Sequence, residues 1–337
     1  MVTYNIAVAG AGGAVGRTLV KVLEERGFPV SRLVLLATSR TAGTGVEFRG
    51  ENLAIEPVRP EAFEGIDLAF FATPTEVSRE LVPEAVRRGA VVVDKSSAYR
   101  EDPEVPLVVP EVNPEALEGH RGVIANPNCS TIQLVVALSP LASLAPLKRV
   151  VVATYQSVSG TGREAVEELR LQTRAVLDGK PAVPQVYPRP IAFNLLPHID
   201  EFGLDGYTKE ERKLVAETRK IMGRPDLAIS ATTVRVPVEV GHSEAVWVET
   251  ERPVTPETYR EALAQAPGVL VMDDPGRGVY PTPLDAVGRD EVLVGRIRRD
   301  PSVACGLVFW VVADNLRKGA ATNALQIAEE LLARGLL

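Results

Sequence analysis

The chain has 337 residues, of which 45% are hydrophobic and 24% charged, as in an ordinary globular protein of about two domains. A net charge of −7 and an isoelectric point near 5.3 argue against nucleic acid or an anionic membrane as the main partner. The 2 cysteines are too few for a disulfide framework, and we find no signal peptide and no apolar run long enough to span a bilayer. These features predict a cytoplasmic protein with reduced thiols.

Strands and helices alternate along the first part of the chain. "YNIAVAG" reads as a strand, and "GGAVGRTLVKVLEERG" follows it directly as an amphipathic helix. Further strands are expected at "RLVLLAT", "IDLAFFAT" and "VVVDKSS", with a helix at "VSRELVPEAVRRGA". This alternation is typical of a parallel sheet with helices on both faces, so residues 1–128 are predicted to form a Rossmann-type dinucleotide-binding domain.

A glycine-rich loop joins the first strand to the first helix. "GAGGAVG" fits a GxxGxxG variant of the dinucleotide fingerprint, in which glycines let the backbone approach a pyrophosphate at the helix N-terminus. The alternative is a tight turn with a purely structural role. The cofactor contacts predicted from this loop are Gly10, Gly12, Gly13, Ala14, Val15 and Gly16.

The loop after the second strand indicates which dinucleotide is bound. An acidic residue at this place would bind the ribose 2′-hydroxyl of NAD, whereas an arginine accommodates the 2′-phosphate of NADP. "ATSRTAG" contains no carboxylate, and it offers Ser39, Arg40 and Thr41 as donors. We therefore predict NADP as the cofactor, and no metal ion; the alternative for Arg40 is a solvated loop residue.

Cys129 lies in "IANPNCSTIQLVVAL", between a polar loop and an apolar helix. A thiol at a helix N-terminus has a lowered pKa, because the unsatisfied N–H groups favour the thiolate. Three histidines could assist it: His120 lies in a polar turn, His198 in an irregular segment, and His242 after a glycine among strands. The sequence favours His242 as the partner without excluding His198, and it predicts that Cys305 packs in the core.

Strands beyond residue 128 alternate more regularly and are rich in β-branched residues, as in "ISATTVRVPVEV" and "SEAVWVETERPV". They suit a mixed sheet with one open face, so residues 129–314 are predicted to form a second, α+β domain. A Pro-rich irregular stretch, "DGKPAVPQVYPRPIAFNLLPHIDEFG", interrupts it, and a C-terminal amphipathic helix within 315–337 is predicted to complete the first domain.

Three cations stand out beside these motifs. Arg100 follows "DKSSAY", Lys213 lies on a predicted helix, and Arg235 lies seven residues before His242. That spacing places Arg235 and His242 on opposite faces of one strand unless a bulge or turn at Gly241 intervenes. Taken singly, each cation fits an ordinary surface charge better than a binding residue.

Together these motifs resemble the aspartate-β-semialdehyde dehydrogenase family over nearly the whole chain. "NPNCSTIQ" and the pair "RVPV" and "GHSE" are the most specific. The segments that carry the resemblance are "GAGGAVG", "SRTAG", "DKSSAYR", "NPNCSTIQ", "YQSVSGTG", "FNLLPHID", "TKEERKLVAETRKI", "RVPVEVGHSEAVWVE" and "DNLRKGAATNALQIAE".

The resemblance implies NADPH-dependent reductive dephosphorylation of L-β-aspartyl phosphate to L-aspartate-β-semialdehyde, in the biosynthesis of Lys, Met and Thr. It implies that Cys129 is the nucleophile, that His242 is the general acid/base, and that Gln156 positions the substrate. It also implies substrate-binding residues, for the α-carboxylate and α-amino group or for the phosphate: Arg100, Asn128, Glu210, Lys213 and Arg235.

Further cofactor contacts implied by the resemblance are Ser159, Gly160 and Asn315. The implied assembly is a homodimer, with residues 129–314 as the catalytic and dimerisation domain. Thr161, Thr73 and Gly12 depart from the residues expected at their positions. Two alternatives remain at this point. N-acetyl-glutamyl-phosphate reductase performs the same chemistry on a longer substrate, and a non-catalytic NADP-binding sensor would need no nucleophile.

Overall fold

The computed structural model describes residues 2–38 and 43–337, so Ser39, Arg40 and Thr41 lie outside the described residues. The chain divides into two compact units. The first unit contains residues 1–128 and 320–337, and the second contains residues 129–319. The first unit thus takes up the C-terminal segment from Ala320, rather than from Asn315.

A mostly parallel sheet forms the centre of the first unit. Its order is β3-β4-β2-β1-β5-β6-β7, and only the β3–β4 pair is antiparallel. The strands are β1 (Tyr4–Ala9), β2 (Val30–Ala37), β3 (Gly45–Phe48), β4 (Glu51–Pro57), β5 (Leu68–Phe71), β6 (Val91–Asp94) and β7 (Val123–Ala125). This confirms the predicted Rossmann-type architecture, whereas the β3–β4 hairpin was not expected from the sequence.

Helices cover both faces of this sheet. They are α1 (Ala14–Glu25) and α2 (Thr75–Arg87), with the C-terminal helix α8 (Thr322–Arg334) beside α1. Leu19 and Leu23 of α1 share one apolar cluster with Leu325 and Leu331 of α8, and Leu81 of α2 belongs to a cluster on the opposite face. Burial on both faces explains why these strands are continuous apolar runs in the sequence.

The second unit is built on a mixed sheet, as predicted. Its order is β11-β12-β13-β10-β8-β9, in which β8–β9 and β11–β12 are parallel and the other pairs antiparallel. The strands are β8 (Leu147–Gln156), β9 (Ala228–Arg235), β10 (His242–Thr250), β11 (Val269–Val271), β12 (Val292–Arg299) and β13 (Gly306–Ala313).

One face of this second sheet packs against helices, and the other remains partly exposed. The helices of the unit are α3 (Cys129–Leu144), α4 (Arg163–Leu177), α5 (Lys209–Ile221), α6 (Pro256–Gln265) and α7 (Pro283–Ala286). Helix α3 contacts β8, β10, β12 and β13, and its residues Thr131–Leu138 are all buried. On the other face Trp247 keeps 37% of its surface exposed, and Trp310 packs on Tyr155.

Two segments of the chain depart from regular α-helix and β-strand. The predicted irregular stretch, residues 178–203, continues to residue 208 and joins β9 through a bridge between Leu196 and Arg235. A π-helical turn, Arg317–Ala321, precedes α8. Within residues 2–38 and 43–337, no helix combines the length and the apolar character that crossing a membrane requires.

Candidate active site

The glycine loop of the first unit lies where the strand order changes direction. Strand β1 pairs with β2 on one side and β5 on the other, and a ligand of such a sheet binds at this point, beyond the carboxyl ends of the strands. Gly10 follows β1 with φ +88°, and a Cβ on it would lie 2.3 Å from the carbonyl oxygen of Ala72. A Cβ on Gly16 would lie 2.2 Å from the carbonyl oxygen of Gly10.

The rest of this loop leads into α1. Gly13 is the N-cap of α1, and Ala14 and Val15 are its first two residues, so their N–H groups have no acceptor within the helix. The Gly12 carbonyl accepts a hydrogen bond from Arg17. The bare backbone and the helix N-terminus fit the pyrophosphate of a dinucleotide.

Cys129 is the first residue of α3, as the sequence predicted. It is partly exposed, unlike the residues of α3 from Ser130 to Leu138. Gly319 lies beside it, because a Cβ built on that glycine would be 3.0 Å from the Cys129 Cβ. The sulfur atom therefore belongs to a helix N-terminus, where an anion is favoured, and a glycine leaves space next to it.

His242 begins β10 and is completely buried. Its Nδ1 accepts the backbone N–H of Ser157 at 3.0 Å, so the neutral ring carries its proton on Nε2. Burial, together with the nearby Arg235 guanidinium, lowers the pKa of His242 well below the ordinary value. Among the described residues Nε2 has no hydrogen-bond partner, and Gly160 lies next to it. His242 is therefore a neutral donor aimed at a space that a side chain at position 160 would fill.

Strand register brings Arg235 and Gln156 to the same end of the sheet. They are paired residues on β9 and β8, while β10 lies on the other side of β8 and begins with His242. Gly241, with φ +98°, belongs to the connection between β9 and β10, so Arg235 and His242 lie on separate strands, as the predicted turn required. We call Arg235, Gln156 and His242 the catalytic row.

Each side chain of the catalytic row is held by specific hydrogen bonds. The Arg235 Nη1 donates to the Ser157 carbonyl at 2.7 Å, and its Nε has no partner among the described residues. Gln156 donates through Nε2 to Glu210 at 3.1 Å and accepts through Oε1 from Thr154 at 3.0 Å. These bonds orient a guanidinium, an amide and an imidazole from three neighbouring strands.

Helix α5 contributes Glu210 and Lys213, which share a face as expected from their spacing. The Lys213 Nζ lies 3.5 Å from Glu210 and donates at 2.6 Å to Asp200 in the irregular stretch. Although burial raises the pKa of Asp200, hydrogen bonds from Lys213 and from the backbone N–H of Glu201 outweigh that effect and lower it overall. Thr208 and Glu211 form a capping box that fixes the start of α5.

Ser159 and Asn315 meet behind His242. Asn315 donates to the Ser159 hydroxyl at 2.9 Å, and its Oδ1 accepts from the Ser157 hydroxyl at 3.1 Å and from the Gly241 N–H at 2.9 Å. Ser157 therefore supports both Asn315 and the ring of His242. Ser157 and Asp200 were not predicted as site residues, although Ser157 lies in the motif "YQSVSGTG" and Asp200 in "FNLLPHID".

The remaining predictions have mixed outcomes. Arg100 is buried in the first unit, where it donates to the Lys95 carbonyl, and Asn128 is the last residue of that unit before α3. His198 stacks on Phe202 with ring centroids 4.4 Å apart, and a ring nitrogen of His120 contacts the Leu336 carbonyl. The expectation that Cys305 packs in the core was wrong, because it is half-buried immediately before β13.

Comparisons with known proteins agree over the full length of the chain. Residues 5–120 match the family model "Semialdehyde dehydrogenase, NAD binding domain", and residues 138–318 match "Semialdehyde dehydrogenase, dimerisation domain". The aspartate-semialdehyde dehydrogenase of Aquifex aeolicus is 54% identical over 99% of both chains. That of Bacillus subtilis is 50% identical over 97% of both.

Solved structures give the same result. The aspartate semialdehyde dehydrogenase II of Vibrio cholerae complexed with ASA superposes with a TM-score of 0.96, at 46% identity, over 99% of both chains. The Candida albicans aspartate semialdehyde dehydrogenase with NADP has a TM-score of 0.77 at 25% identity, over 100% of both chains.

Proposed function

The chain belongs to the aspartate-semialdehyde dehydrogenase family, and from this premise we propose that it reduces L-β-aspartyl phosphate to L-aspartate-β-semialdehyde through a thioester on Cys129. The observation that carries this assignment is the buried, neutral His242 whose Nε2 has no partner among the described residues, in a unit whose helix α3 begins with the thiol of Cys129. The reaction serves the biosynthesis of Lys, Met and Thr.

Covalent catalysis would divide this reduction into two easier steps. The Cys129 thiolate attacks the β-carbonyl carbon, and the C–O bond to phosphate breaks to give the thioester and inorganic phosphate. A bound nicotinamide dinucleotide would supply the hydride that reduces the thioester. The His242 Nε2–H would donate a hydrogen bond to the oxygen that becomes negative at each addition and stabilise it while keeping its proton. After hydride addition the C–S bond would break, so that the aldehyde leaves and the Cys129 thiolate re-forms.

Substrate would be held by the charged groups around the catalytic row. We propose that Arg235 binds the α-carboxylate, because a planar guanidinium forms paired hydrogen bonds with a carboxylate. Glu210 would bind the α-ammonium group, and Gln156, already bonded to Glu210, would position the acyl intermediate. Arg100 and Lys213 would bind the phosphate, with Asn128 close to it.

NADP is the proposed dinucleotide. The glycine loop and the start of α1 would hold its pyrophosphate, and Ser159, Gly160 and Asn315 would contact its nicotinamide end. The preference for NADP rests on the loop Ser39–Arg40–Thr41, which contains no carboxylate. Arg40→Ala is expected to raise the KM for NADP while leaving that for NAD unchanged; a variant that weakens both cofactors equally would contradict the assignment of Arg40.

A homodimer is the proposed assembly, formed through the partly exposed face of the second sheet. This face carries Trp247, Trp310 and Ala245, with Tyr280 at its side, and these residues line a common cavity of about 380 Å³. Trp247→Glu places a charge on this apolar surface, so the dissociation constant measured by analytical ultracentrifugation should rise. A wild type that sediments as a monomer would contradict the proposal. We propose the cytoplasm as the compartment.

The deciding experiment is an assay in the reverse direction with L-aspartate semialdehyde, NADP and phosphate. Wild type should form NADPH only when phosphate is present, and Cys129→Ser should form almost none. A wild type that is inactive on this aldehyde but oxidises N-acetyl-glutamate semialdehyde would show that Glu210 and Arg235 do not bind the α-ammonium and α-carboxylate groups as proposed. NADP binding without turnover of either aldehyde would indicate a sensor.

A further inference from the structure

A second polar layer lies directly beneath the catalytic row. Side chains two residues apart on a strand share a face, so the next inward positions on β9, β8 and β10 are Thr233, Thr154 and Glu244. Register pairs Thr154 with Thr233 on one side and with Glu244 on the other. All three are completely buried, and we call them the second row.

The layer below the second row is apolar. It consists of Ala231, Val152 and Val246 on the same three strands, each almost fully buried. The carboxyl group of Glu244 therefore lies between the catalytic row and the apolar core, at a position where an apolar side chain would also fit. Helix α3 covers this region and brings Gln133, one turn beyond Cys129, against Glu244.

Several polar atoms of this layer lack partners. Among the residues that the structure describes, neither carboxyl oxygen of Glu244 has a hydrogen bond of good geometry, its polar neighbour being the Gln133 amide, and the Thr233 hydroxyl has no partner. Burial raises the pKa of Glu244 well above its ordinary value, and the neighbouring Gln133 amide opposes this only in part. Burial thus favours the uncharged form of Glu244, which has an O–H group to donate.

The bonds of Thr154 indicate where that O–H group is needed. The Thr154 hydroxyl hydrogen is committed to the Gln156 Oε1, so the Thr154 oxygen can only accept a further hydrogen bond. Glu244 is its cross-strand neighbour, and paired residues on adjacent strands have Cβ atoms about 4.5–5.5 Å apart, within reach of a side-chain rotation. An ionised Glu244 would accept only, and it would draw the Thr154 hydrogen away from Gln156.

We propose that Glu244 is a positioning residue, which donates to its cross-strand neighbour Thr154 and so keeps the Gln156 amide oriented for the reaction. The hydrogen bonds then all have the same donor-to-acceptor direction. Glu244 donates to Thr154, Thr154 donates to the Gln156 Oε1, and the Gln156 Nε2 donates to Glu210. The proposal rests on the proposed function, because Gln156 acts on the acyl intermediate only in that reaction.

Three variants test this role in the reverse assay, with saturation kinetics and a thermal unfolding curve for each. Glu244→Leu removes the donor, and kcat should fall about 10- to 100-fold, as for other residues that orient a reacting group through a neighbour. KM values for aldehyde and NADP should change little. Glu244→Gln keeps an uncharged donor and should restore most of kcat. Val246→Ala, one layer deeper on the same strand, should lower the unfolding temperature without this loss of kcat.

The infrared C=O stretch of an uncharged carboxylic acid gives a measurement independent of activity. Wild type at neutral pH should show such a band, and Glu244→Gln should lack it. The proposal is overturned by a Glu244→Leu variant with wild-type kcat, by a Glu244→Gln variant as inactive as a folded Glu244→Leu, or by the absence of the band. If Glu244→Leu does not fold, the proposal is tested by the infrared band and by Thr154→Val. The proposal then requires that the band is present and that Thr154→Val lowers kcat.

Failure of the proposed function would look different. A wild type inactive on aspartate semialdehyde, or a fully active Cys129→Ser, would reject the thioester mechanism while leaving the infrared band in place. Loss of the band with normal thioester chemistry would reject only the role of Glu244.

Discussion

The two units use their sheets in different ways. In the first, the proposed cofactor-binding positions follow the ends of parallel strands, where the backbone at Gly10 and Gly16 has no room for a side chain. In the second, the proposed catalytic side chains are themselves strand residues: Gln156 and Arg235 end their strands, and His242 begins one. Backbone shape should therefore control cofactor affinity in the first unit, whereas side-chain chemistry should control kcat in the second.

Cys129→Ser should give the largest effect and sharpen this contrast most. An alcohol is a much weaker nucleophile than a thiolate, so kcat should fall by about 10⁴-fold or more, as for loss of a nucleophile in other covalent enzymes. Cofactor affinity, measured by fluorescence titration with NADPH, should remain at the wild-type value. Cys305→Ser is the matched control, and its kcat should be normal.

Arg235→Lys should have the next largest effect. A lysine keeps the charge but loses the planar fork, and hydrogen bonds to charged groups contribute about 1.5–3 kcal/mol, so kcat/KM for the aldehyde should fall about 10- to 100-fold. The KM for NADP should be unaffected, and Arg170→Lys, at an exposed ion pair with Glu239, serves as control. An equal fall in kcat/KM for the aldehyde and for NADP would contradict the proposal that the first unit controls cofactor affinity and the second controls kcat.

Some of this organisation was accessible from the sequence because it is local. The glycine loop and the helix start at Cys129 depend on a few consecutive residues whose backbone preferences act over one turn. With three histidines in the chain, the choice of His242 was also narrow. The alternation of strands and helices indicated the parallel sheet, since each element carries its own periodicity.

The second row could not be predicted in the same way. Thr154, Thr233 and Glu244 become neighbours only through the register of three strands, and register is fixed by packing over the whole sheet. The same reason hid the support that Ser157 gives to His242, which joins residues 85 apart in the chain. The β3–β4 hairpin was missed because β3 has only 4 residues and the 7 residues of β4 are mostly exposed and partly polar.

Gly10→Ala tests the first unit. The φ of +88° and the 2.3 Å approach to Ala72 leave no room for a methyl group, so the loop must shift at a cost of about 1–3 kcal/mol. The KM for NADP should rise about tenfold, by the conversion of 1.4 kcal/mol to a factor of ten, with little change in kcat. Gly27→Ala has φ +62° but no atom within 4 Å of the added Cβ, so it should destabilise slightly and leave the KM unchanged.

The last prediction concerns the protonation of His242, which should affect stability rather than activity. Its pKa is lowered in the folded state, so as pH falls below about 6.5 the unfolded chain gains a proton that the folded chain does not bind. Stability should therefore decrease by up to about 1.4 kcal/mol per pH unit on this account, until the folded pKa is reached. His242→Gln removes this contribution, so its free energy of unfolding in urea should fall less steeply from pH 6.5 to 5. Val246→Ala should lower stability without altering that slope, because it leaves the imidazole in place; equal slopes for wild type and His242→Gln would mean that the buried ring titrates normally.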